Sequence, residues 1–148
     1  MKSAIALFLF GIVALPAAAQ DRQTPALETV PAGEVALADF LWQKRPLVVF
    51  ADSPNDPAFR SQIEYLADDP AELLKRDVIV LTDSDPDSAS DARERLRPRG
   101  FSMVLLDKDG AVKLRKPLPW SVREITHAID KFPLRQQEIR DQQGTVSN

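Results

Sequence analysis

The sequence predicts a three-layer α/β domain, and three observations carry that prediction. Short apolar runs at Leu47–Phe50, Val78–Leu81 and Phe101–Leu106 are each flanked by turn-forming or polar residues, the pattern of strands buried on both faces. Between the first two, Pro57 suits a first helical turn, and Phe59, Ile63, Tyr65 and Leu66 follow at helical spacing. Two strands joined by a helical crossover pair in parallel, whereas the third is followed by an antiparallel return strand through Asp109-Gly110, a two-residue hairpin turn that wants a positive φ at Gly110.

Taken in order, residues 20–34 contain Pro25 and Pro31 with little periodicity and read as an extended N-terminal segment. The domain proper spans residues 35–142. Val35 to Trp42 reads as a short helix or turn feeding the first strand, and Pro70 opens a second short helix through Lys75. An acidic loop follows the second strand, then a charged helix from Asp91 to Leu96. After the hairpin, Ser121 with Glu124 three positions on forms a capping box, opening a helix in which Val122, Ile125, Ile129 and Phe132 share a face. A polar helix after Pro133 and a disordered tail at residues 143–148 close the chain, giving the order β-α-β-α-β-β-α.

Composition removes several functions. There is no cysteine among the 148 residues, so disulfide frameworks, zinc-thiolate sites and thiol catalysis are excluded. A formal net charge of −3 does not suit nucleic-acid binding as the main role. Residues 1–19 combine Lys2, an apolar stretch from Ala4 to Leu15 and the small residues Ala17 to Ala19, the pattern of a secretory signal peptide cleaved before Gln20. No later segment is long and apolar enough to span a bilayer. The expected location is therefore exported, periplasmic or extracellular.

The segment FSMVLLDKDGAVKLR, the capped helix after it, and Ile129-Asp130 leading to Pro133, Arg135 and Glu138 carry a resemblance. Over roughly Asp39 to Arg140 the chain resembles a family of thioredoxin-like domains of unknown function. That family occurs as single exported domains in bacteria, and as repeats in vertebrate sushi-repeat-containing and coiled-coil-domain extracellular proteins. The resemblance implies a thioredoxin-like three-layer sandwich and, for the vertebrate members, a link to adhesion and matrix assembly. It implies no activity. In an ungapped comparison, Asn55-Asp56-Pro57-Ala58 occupies the place of the thioredoxin Cys-x-x-Cys motif, and both thiols are absent.

Two constellations remain as candidates. Asp52, Asn55 and Asp56 follow the first strand, where the carboxyl ends of parallel strands and a helix amino terminus converge on ligands. With Arg135 and Glu138 they are the candidate binding residues for an unidentified protein or envelope component, the expected role being non-enzymatic and without cofactor. Asp83, Asp85, Asp87, Asp91 and Glu94 are the alternative, a calcium-dependent or metal-assisted hydrolytic module, because closely spaced carboxylates suit a large oxygen-seeking cation. Arg93, Arg95, Arg97 and Arg99 alternate, and alternate residues share one side only where the chain is extended. His127 falls on the flank of its helix, and Trp42, Tyr65 and Trp120 read as core or rim aromatics.

Overall fold

A computed structural model describes residues 25–146; the proposed signal peptide lies outside the described residues. Five strands form one mixed sheet in the order β1-β3-β2-β4-β5. They are β1 Thr29–Pro31, β2 Arg45–Phe50, β3 Val78–Asp83, β4 Ser102–Leu106 and β5 Val112–Lys116. The helices are α1 Pro57–Ala67, α2 Pro70–Leu74, α3 Asp91–Leu96, α4 Val122–Ile129 and α5 Pro133–Val146.

β2 and β3 run parallel, with Leu47 opposite Val80, and α1 and α2 make the crossover between them. β4 inserts antiparallel on the other side of β2, with Leu47 opposite Leu105. Every residue of β2 and of β4 is buried, which is why Leu47–Phe50 and Met103–Leu106 read as apolar runs rather than as alternation. Alternate side chains supply two cores. Leu47, Val49, Met103 and Leu105 pack with Leu66, Leu73, Ile125 and Ile129 beneath α1, α2 and α4. Val48, Phe50, Val104 and Leu106 pack with Leu37, Ala92 and Leu96 beneath α3.

Four caps fix the helix starts. Asp56 accepts from the Ala58 and Phe59 amides, Asp69 from Glu72, Ser90 from Arg93 and Ser121 from Glu124. Glu124 in turn accepts from the Ser121 amide at 2.8 Å, completing the expected capping box.

Three expectations need correction. The segment 20–34 is not merely a lead-in: Thr29–Pro31 pairs in parallel with β3 and forms one edge of the sheet, a position that tolerates proline. At the other end, α5 continues through Val146, so helix occupies most of the segment expected to be a tail. The hairpin turn is Asp107-Lys108-Asp109-Gly110, closed by the Gly110 amide donating to the Asp107 carbonyl at 2.9 Å. Gly110 is therefore the last residue of the turn, not one of its two central residues, yet it has the expected positive φ, +82°. Of the two places open to Trp42 and Tyr65, core or rim, their exposures of 68% and 42% leave the rim.

Candidate functional site

The carboxyl ends of β2 and β3 meet the amino end of β4, since Phe50 lies opposite both Asp83 and Ser102. The β2–α1 turn leaves from this end. Its residues divide by role. Asp56 is committed to capping α1, and the Ser53 hydroxyl accepts from the Asn55 amide. The side chains of Asp52 and Asn55 face solvent. A Cβ on Gly100 would lie 4.0 Å from Asp52 Oδ2, so the loop after α3 borders the acidic turn.

That loop builds a basic concavity. α3 ends at Leu96, and Arg97 adopts a left-handed conformation, φ 45° and ψ 59°. Beyond the helix end, Arg97 and Arg99 both line one hollow of about 410 Å³. Arg115 on β5 completes the set, and one of its terminal nitrogens donates to the Leu96 carbonyl at 2.7 Å. Phe101, Ser102 and Pro117 form the rest of the wall. Among the described residues, none of these three arginines makes an ion pair with a carboxylate. The alternating arginines were legible in the sequence, but Arg115 was not, because nothing local ties a β5 side chain to the end of α3.

The other two arginines of the alternating run turn elsewhere. The Arg93 guanidinium pairs with Asp83 at 2.8 Å, donates to the Ala51 carbonyl at 3.1 Å and lies 5.4 Å from the Phe50 ring centroid. Arg95 pairs with Asp91 through its Nε at 2.6 Å.

Within the acidic constellation, Asp83, Asp85 and Asp91 have structural partners. Burial raises the Asp83 carboxyl pKa, but hydrogen bonds from Arg93 and Ser90 outweigh it and hold the group below the usual carboxylate range. Asp85 accepts from the Asp87 amide. Asp91 accepts from the Leu37 amide at 2.8 Å, which with the Arg95 pair keeps it ionised below its ordinary pKa. Glu94 faces solvent. Among the described residues, no three His, Asp or Glu side chains are gathered where they could hold a metal ion.

Arg135 and Glu138 do pair, at 3.2 Å, but they belong to an internal network at the opposite end of the sheet. Glu138 also accepts from Arg45 at 2.9 Å and from Lys108 at 2.9 Å. Burial raises the Glu138 pKa; the hydrogen bonds from Arg45, Lys108 and Arg135 win and bring it down to about 2. Lys108 reaches on to Asp77 at 2.8 Å, while Arg76 links Asp130 at 2.6 Å to Glu72 at 2.8 Å. These groups hold α5 and α2 to the sheet, and Arg135 is only 11% exposed. His127 is solvent-exposed on α4.

Comparisons with known proteins agree with this architecture. Chloroplastic thioredoxin z is similar over 72% of this chain and 94% of its own, with a TM-score of 0.54 at 21% identity. The reduced 2-Cys peroxiredoxin of Plasmodium vivax matches over 69% of this chain and 83% of its own, also at 0.54, with 17% identity. At such identities the likeness is one of fold. The fold is thioredoxin-like, without the cysteines. Coiled-coil domain-containing protein 80 of Danio rerio is 31% identical over 138 residues, covering 73% of this chain but 16% of that protein, so the chain spans a small part of its relative's length. Residues 36–138, from the turn before β2 to the Glu138 of the buried network, match the family described as Domain of unknown function (DUF4174), and the chain belongs to it.

Proposed function

We propose that this is an exported, non-catalytic binding domain that takes an acidic segment of a protein partner in the concavity lined by Arg97, Arg99 and Arg115. The observation that carries the reading is three arginines, brought from two elements around one hollow, none of them ion-paired among the described residues. Guanidinium groups are suited to carboxylates because their planar donors match two oxygens at once. Phe101 offers an apolar surface beside them, as hot spots in peptide-binding grooves do. The location supports the same reading, since ligands gather at the carboxyl ends of parallel strands in open α/β sheets. A chain of net charge −3 overall with a local basic hollow steers an acidic ligand to that hollow in particular.

The non-catalytic part rests on the missing thiolates: Asn55 and Ala58 stand where the thioredoxin thiols would be, and neither can act in disulfide exchange. Export rests on the pattern of residues 1–19.

Fluorescence anisotropy with a labelled oligo-glutamate peptide tests the reading, an oligo-glutamine peptide being the control. Saturable binding that weakens steeply with salt and is lost in Arg97→Glu/Arg99→Glu/Arg115→Glu is expected. Equal binding of both peptides, or an undiminished signal from the triple variant, would overturn it.

A further inference from the structure

We infer that a second site, on the α3 face of the sheet, binds a small amphipathic carboxylate: an apolar body with one acidic head. The place is a cleft of about 370 Å³ between the 3-10 turn Leu37–Phe40, α3 and the β4–β5 turn. Its size falls within the range of small-molecule pockets. It lies at the end of the sheet opposite the arginine concavity, because it reaches Pro46 near the start of β2 and Leu106 at the end of β4.

Much of the wall is apolar, with Asp107, held by Arg45 at 2.8 Å, as the acidic residue of the lining. Leu37 and Phe40 come from the turn, Leu96 from α3 and Leu106 from β4. Three of these belong to the core beneath α3, so the cleft opens directly onto packed hydrocarbon, and Phe40 packs against that core. Transfer of an apolar chain onto such a surface is favourable in proportion to the area removed from water.

The rim is cationic. Lys44 and Arg95 both line the cleft. Lys44 makes no ion pair among the described residues, and Arg95 uses only its Nε on Asp91, leaving both terminal nitrogens open to an anion. Lys108 also contributes to the lining, but its ammonium is taken by Asp77 and Glu138. Lys44 and the open end of Arg95, against an Asp107 whose charge Arg45 already offsets, favour a ligand whose charge is negative and at one end.

The cleft is also held open by the fold. The Leu37 amide donates to Asp91 at 2.8 Å, and Asp91 pairs with Arg95 at 2.6 Å, so the turn is clasped to α3 across one wall. On the other side Gly110 approaches Leu41 so closely that a Cβ there would meet Leu41 Cδ2 at 2.9 Å. Such bracing lowers the cost of binding because the walls are ordered before the ligand arrives.

Isothermal titration of the folded protein with decanoate, against decyltrimethylammonium as the oppositely charged control, tests this. Saturable binding of decanoate well above that of the cation is expected. In Lys44→Glu/Arg95→Glu, decanoate should bind about tenfold more weakly or less, from the loss of charge-assisted contacts, while the cation binds better. Ala38→Trp, at an exposed lining position, should block the cleft to both. Far-UV circular dichroism checks that each variant keeps its fold, and none of the three positions is in a core. Absence of saturable decanoate binding, equal binding of the two ligands, or full binding by Ala38→Trp would each overturn the inference.

Discussion

Arg45 Nε donates to Asp107 Oδ1 at 2.8 Å, and both side chains are fully buried. The pairing register explains why they meet. Leu47 lies opposite Leu105, so two residues further out along each antiparallel strand Arg45 comes opposite Asp107. Each charge alone would be costly inside the protein, and neither strand could end where it does without the other. The rest of the Arg45 guanidinium reaches the Arg76 carbonyl and Glu138, so the ends of β2 and β4 are joined to α2 and α5 through one side chain.

Glu138→Gln should therefore destabilise the domain far more than a surface glutamate would. We expect a loss of about 2 kcal/mol, below the ~3–5 kcal/mol for breaking a fully buried pair, because Arg45 keeps Asp107. Urea denaturation at neutral pH measures it. The pH dependence follows from the lowered pKa. Glu138 contributes stability that is complete above its unfolded value of 4.5 and is lost as pH falls toward about 2. The wild-type midpoint should thus fall between those pH values more steeply than that of Glu138→Gln. Parallel curves for the two proteins would show that Glu138 is not the titrating group.

Asp83 should prove the structural residue of the acidic loop. Asp83→Ala leaves Arg93, only 13% exposed, without its carboxylate, and should cost about 3 kcal/mol. Asp85→Ala and Asp87→Ala should each cost less than about 1 kcal/mol, since Asp85 holds a single turn amide and Asp87 is exposed. Chemical denaturation in chelator-containing buffer compares the three. A loss in the Asp87 variant equal to that in the Asp83 variant would contradict this division of roles.

The contrast between these residues shows where sequence is informative. α1, α3, α4 and the strands β2 to β5 are legible because their signals are local: an apolar run, a proline at a first turn, a serine three residues ahead of a glutamate. β1 is not, because three residues, one of them proline, carry no period. The carboxylates of the acidic loop look like a set in sequence, yet the two less exposed ones are claimed separately, Asp83 by Arg93 and Asp91 by the amide of Leu37, while Asp87 and Glu94 face solvent. The buried network escapes for a related reason: Arg45 is 62 residues from Asp107 and 93 from Glu138. A charged residue directly flanking a fully apolar run was the available sign, at Arg45 and again at Asp107.

Gly110→Val and Ser121→Ala should both lower stability, with the glycine substitution the worse. At φ +82° a β-branched side chain is strained, and its Cβ would press on Leu41; together these should cost about 2–4 kcal/mol. Losing the Ser121 cap should cost about 1 kcal/mol, a shift of roughly 0.5–1 M in the urea midpoint. The reverse ranking would mean that the hairpin turn relaxes independently of the turn that carries Leu41.

Arg97 tests whether binding and stability pull against each other at the basic concavity. It occupies the left-handed position directly after α3, the place where helices most often carry glycine because a Cβ there is strained. Its side chain is exposed and makes no ion pair among the described residues, so the folded state gains little from it in return. Arg97→Gly should consequently raise the urea midpoint, by about 0.5–1 kcal/mol in free energy. The same substitution removes one of the three cations lining the hollow and should weaken oligo-glutamate binding, with a shallower dependence on salt. Arg97→Lys keeps both the charge and the backbone strain, so it should leave stability unchanged while losing only the bidentate geometry. A variant series in which Arg97→Gly is stabilised and binds the acidic peptide as well as the wild type would remove Arg97 from the site, leaving its strained conformation without a function to account for it.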